Sequence, residues 1–122
     1  MVTGNGSFWT EYSFSAYIMS QIMTDPDEAE TGNSRMRQVS IMMYVYHIQL
    51  KKEPPTGSQI AKAFGLTRAA IRETMDQLVR KNLLVEEEVP NTAKYGQGRR
   101  ALRYSISQNV FKASLDAPPS YF

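Results

Sequence analysis

The chain contains no cysteine, a single histidine and a single tryptophan. The missing cysteines exclude disulfides and thiolate metal sites, which a reducing compartment allows. His47 stands alone in the apolar run Met42–Ile48. It has no second histidine for a metal or a proton relay and reads as a core or partly exposed side chain. The one dense carboxylate group, Glu86-Glu87-Glu88, falls in an expected strand. Successive side chains there point to opposite faces and cannot converge on a cation. Gly96-Gln97-Gly98 lacks the third glycine and the strand-then-helix setting of a phosphate loop. The methionines Met36, Met42 and Met43 read as adaptable packing. Enzyme activity, a cofactor and a bound metal are therefore not expected. No lysine or arginine precedes Arg35, so the positive start of a secretory signal is missing. The longest apolar run, Ile41–Ile48, is too short to cross a bilayer.

What is present is an uneven charge. The net +2 divides into −5 over residues 1–34 (Glu11, Asp25, Asp27, Glu28 and Glu30, with no base) and +7 over the remainder. An acidic leader on a basic body suggests an anionic partner for the body, although a solvated surface gives the same count. The length suits a domain that can bury its own core.

Residues 1–7 are small and polar and are expected to be disordered. The spacing of Phe8, Trp9, Tyr12, Ile18 and Ile22 predicts a helix over Phe8–Met23. Thr24–Ser34 reads as an acidic linker broken by Pro26 and Gly32. A second helix is expected over Arg35–Lys52, with Met36, Val39, Met43, Tyr46 and Leu50 as its buried stripe and Lys51 and Lys52 in its last turn. Glu53-Pro54-Pro55 stops it. The expected division is 1–34, an aromatic helix and acidic linker, and 35–122, the second unit.

Thr56 and Gln59 have capping-box spacing for a third helix that ends at Gly65, a residue free to take positive φ in a tight turn. Thr67 caps a fourth helix running to about Lys81, and Asn82 suits its left-handed exit. Ile60, Phe64 and the small Ala61 fit the close crossing of this pair, Leu66 fills the corner, and Ile71, Met75 and Leu78 form the inner face of the fourth helix. Leu83–Val89 and Ala101–Ser107 read as two strands, the second with Leu102, Tyr104 and Ile106 inward. The basic loop Asn91–Arg100 joins them. A short helical turn is expected over Val110–Leu115.

A helix-turn-helix followed by a basic hairpin suits docking on duplex DNA. Thr67, Arg68, Ala69 and Arg72 lie at the leading end of the fourth helix, where an Arg fork matches guanine O6 and N7 and Ala meets a thymine methyl. Gln77 is a candidate adenine reader, and Ser58 joins the candidate DNA-binding set. In the hairpin loop, Lys94, Arg99 and Arg100 fit the backbone or a narrow minor groove. The competing readings are an Arg72–Asp76 pair at i, i+4 and pairing of Arg99 or Arg100 with Glu86–Glu88.

Residues 54–107 resemble the winged helix-turn-helix of bacterial transcription regulators, the MarR family in particular. The resemblance rests on Ile60-Ala61-Lys62-Ala63-Phe64-Gly65-Leu66-Thr67, on Met75–Leu84 and on Arg99–Ile106. It implies a mainly α fold with a small β-hairpin, a winged helix-turn-helix carrying an additional N-terminal helix. It also implies a homodimeric transcription regulator that binds double-stranded DNA in the cytoplasm, associated with the nucleoid. In that family a recognition helix reads the major groove and a wing arginine enters the minor groove. An Asp often precedes the wing arginines; here Gly98 stands in that place. The family's long C-terminal dimerisation helices have no counterpart before Phe122. Phe8, Trp9, Tyr12, Tyr17, Ile18 and Ile22 are the candidate replacement interface, the alternative being that this helix caps its own core. The other functional readings are a winged helix used for protein–protein interaction and a replication or partition protein of a mobile element.

Overall fold

The computed structural model describes residues 2–24, 29–90 and 100–116, with side chains at 12–24, 29–90 and 101–113. Among them the chain forms α1 (Val2–Thr24), α2 (Gly32–Gln49), α3 (Gly57–Phe64), α4 (Arg68–Arg80), β1 (Leu84–Pro90), β2 (Arg100–Ile106) and α5 (Gln108–Asp116). The result is a mainly α winged-helix-like architecture with an additional N-terminal helix.

The helix-turn-helix forms where its local signals place it. Thr56 accepts from the Gln59 amide at 3.2 Å while the Gln59 side chain accepts from the Thr56 amide at 2.9 Å, so two orphan donors at the start of α3 are satisfied reciprocally. Gly65 ends α3 at φ 65°, ψ 33°, a left-handed conformation that a Cβ disfavours. Thr67 caps α4 by accepting from the Ala70 amide at 3.1 Å. Asn82 leaves α4 at φ 60°. Ile60, Ile71, Met75 and Leu78 are all buried between the two helices and the rest of the core.

The β-strands pair antiparallel from Leu84↔Ile106 to Pro90↔Arg100, so β1 continues one residue past Val89 and includes Pro90. Leu84, Tyr104 and Ile106 are buried and Leu102 is partly so. The segment before α3 joins the free edge of β2 through a Thr56↔Arg103 bridge and a 2.9 Å bond from the Tyr104 amide to the Pro55 carbonyl. The turn expected over Val110–Leu115 is the longer α5, which buries Val110.

Three expectations are corrected. First, α1 begins at Val2, so residues 2–7 are helical. Extending an existing helix needs no new nucleus, which offsets the poor propensity of Gly4 and Gly6. Second, Gly32 opens α2, with Thr31 as its cap, and is not a breaker. Third, the buried face of α2 is Gln38, Ile41, Met42, Val45 and Tyr46, whereas Met36 and Leu50 are 63% and 59% exposed. The helix is rotated from the expected stripe because a polar residue, Gln38, is buried with partners from α4. Lys51 and Lys52 lie beyond the end of α2.

A single buried cluster runs from Phe14, Ile18 and Ile22 of α1 through Met42 and Tyr46 to Ile60, Met75 and Tyr104. Phe14 stacks on Tyr46 with centroids 4.1 Å apart, and Phe111 of α5 lies 6.0 Å from both rings. A boundary at residue 34 therefore does not separate two cores. No helix among the described residues is long and apolar enough to cross a membrane.

Candidate nucleic-acid interface

A cavity of about 470 Å³ opens between the start of α3, the leading half of α4 and β2. Thr56, Gly57 and Ser58 line one side, Arg68, Ala69, Ile71, Arg72 and Met75 a second, and Ala101, Leu102 and Tyr104 the third. Four of the expected contact residues (Ser58, Arg68, Ala69 and Arg72) are thus brought to one concavity. Thr67 is exposed beside it, with one lone pair of its hydroxyl used in the helix cap.

The two arginines of α4 differ. Arg68 is exposed and has no carboxylate partner among the described residues. Arg72 is held. Its Nε lies 3.2 Å from Asp76 Oδ1, and its Nη1 donates to Glu86 Oε2 at 2.8 Å and to the Tyr104 hydroxyl at 2.9 Å. The Tyr104 hydroxyl donates in turn to the same Glu86 oxygen at 2.7 Å. Burial lowers the Arg72 pKa, but Tyr104, Glu86 and Asp76 raise it by more, so the guanidinium stays charged. Burial, followed by the hydrogen bond and charge of Glu86, pushes the Tyr104 phenol well above its ordinary value. The phenol is therefore a fixed donor at neutral pH.

Gln77 is corrected as a base reader. It is 8% exposed on the inner side of α4 and accepts from Gln38 Nε2 at 3.1 Å and from Ser34 Oγ at 3.0 Å. Lys81 extends this polar string, donating to Gln38 Oε1 at 2.9 Å and to Glu30 Oε1 at 3.0 Å. Glu30, read from sequence as part of an acidic linker, has a side chain only 1% exposed. Lys94 and Arg99 lie outside the described residues, and Arg100 is described only as the first residue of β2.

The expected dimer face is corrected in part. Ile18 and Ile22 are fully buried in the chain's own core, and Tyr17 packs against it. Side chains of that helix cannot fill the core and also line an external contact. Tyr12, Met19 and Met23 are the exposed large hydrophobic side chains among the described part of α1, at 42%, 36% and 40%. The side chains of Phe8 and Trp9 lie outside the described residues.

Sequence reasoning missed the Glu86–Tyr104–Arg72 triangle. The Arg72–Asp76 pair was legible from i, i+4 spacing, but Glu86 reaches Arg72 only after the hairpin folds back on α4. No family model matches this chain, and comparison with curated proteins and with solved structures gives no match.

Proposed function

We propose that this protein is a sequence-specific, double-stranded DNA-binding transcription regulator, with α4 directed to the major groove and the hairpin beside it to the minor groove. The observation that carries the reading is the exposed Arg68 at the start of α4, with no carboxylate partner among the described residues, sharing one concavity with Ser58 and Ala69 next to the hairpin. A guanidinium at the leading end of a capped helix is suited to guanine or to phosphate. We extend the proposal to a homodimer, for which the exposed Tyr12, Met19 and Met23 face of α1 is available and Ile18 and Ile22 are not.

Fluorescence anisotropy with labelled duplex DNA tests the reading. Binding should weaken steeply as salt rises. Arg68→Ala should cost about 1–3 kcal/mol of affinity for a selected sequence. Absence of any salt-dependent retention would reject the DNA reading. It would leave the protein-interaction module, which the carboxylates around Arg72 already favour as the second reading.

A further inference from the structure

We propose that Glu86 is a specificity-determining residue of this interface, acting as an internal competitor that holds Arg72 until a guanine replaces it. The inference rests on the DNA-binding reading above. Its basis is the donor inventory of one side chain. Nη1 of Arg72 donates to both Glu86 and Tyr104, and Nε lies 3.2 Å from Asp76 in an ion pair. Nη2 has no partner among the described residues. An end-on fork to guanine O6 and N7 uses Nη1 together with Nη2, so Arg72 must leave Glu86 and Tyr104 to make one.

The exchange discriminates between sequences. Against a duplex that offers only phosphates, Arg72 trades one oxyanion for another, and the vacated Glu86 is left facing a polyanion. Against a suitably placed guanine, the bidentate contact repays the release. The pair is reversible enough for this role, since the Arg72 and Glu86 side chains remain 47% and 25% exposed. Tyr104 fixes the geometry of the held state by donating to Glu86 while accepting from Arg72. It spans from β2, so the latch also ties the hairpin to α4.

The test compares full-length wild type, Glu86→Gln and Glu73→Gln on a random-sequence duplex and on a guanine-containing duplex selected from a library. Glu73 is an exposed carboxylate of α4 outside the latch, so it controls for the loss of one negative charge. Glu86→Gln should tighten random-duplex binding about two- to fivefold beyond Glu73→Gln and narrow the ratio between selected and random duplexes. That gain should vanish in an Arg72→Ala background. Equal effects of the two substitutions, or a gain that survives without Arg72, overturn the inference while the DNA reading stands. If neither wild type nor Glu86→Gln binds any duplex, both fall together. If only Glu86→Gln binds, the wild type has no DNA contact for Glu86 to tune, and the inference falls with the DNA reading. Circular dichroism checks folding. Should Glu86→Gln not fold, the Arg72 Nη–H resonances of the wild type decide. A shift with the selected duplex alone supports the latch, and an equal response to both duplexes, or to neither, overturns it.

Discussion

Tyr104 makes three kinds of contact. Its amide bonds Pro55, its ring is buried, and its hydroxyl closes the triangle with Glu86 and Arg72. A phenol whose pKa is higher in the folded than in the unfolded chain contributes stability that is complete below the unfolded value. That contribution is lost as pH rises above it. Stability should therefore fall above about pH 10, and chemical denaturation of Tyr104→Phe should show a shallower decline over the same range. Wild type and variant declining in parallel would remove Tyr104 as the cause. At this scale the sequence revealed the short-range Arg72–Asp76 pair and the inward phase of Tyr104. It concealed Gln77, whose partner Gln38 is 39 residues away. An amide on a helix reads as surface until the acceptor that buries it is known.

The elements themselves were legible wherever a cap or a turn is decided within a few residues. Thr56, Gln59, Gly65, Thr67 and Asn82 all adopt the roles that their chemistry suggests. Substituting Thr56→Ala should destabilise the protein by about 1 kcal/mol, because the Gln59 amide loses its acceptor. A thermal melt reads this directly, and an unchanged midpoint would mean that the cap is replaced by water without cost. The phase of α2 was legible only in part: Tyr46 is buried and Val39 and Met43 pack against the core as expected, but Met36 and Leu50 do not. Ile41 through Val45 is apolar on every side, so hydropathy gives no direction there, and the buried Gln38 and exposed Met36 invert the usual rule. The rotation of α2 is set by the hydrogen bonds linking Gln38 with Gln77 and Lys81 of the α4 end.

For the molecule as a whole, the aromatic leader proves to be part of the core. Phe14, Ile18 and Ile22 have no exposed surface and lie in one cluster with Met42, Ile60 and Met75. Phe14→Ala should cost about 3–5 kcal/mol. Removal of residues 1–24 should abolish cooperative thermal unfolding, so that sedimentation of that fragment reports a disrupted fold and not a released monomer. A truncated chain with a sharp, near-native melt would refute this placement. Sequence alone left open whether the leader faced another copy or its own domain, since an apolar stripe carries no label for its target. The buried surface of α1 settles that question for Ile18 and Ile22 only.

The bridge from Thr56 to Arg103 and the Pro55–Tyr104 bond attach β2 to the residues that open α3. The root of the hairpin is thereby denied a hinge. A displacement of β2 therefore pulls directly on the residues that open α3, so docking at either place is coupled to the other.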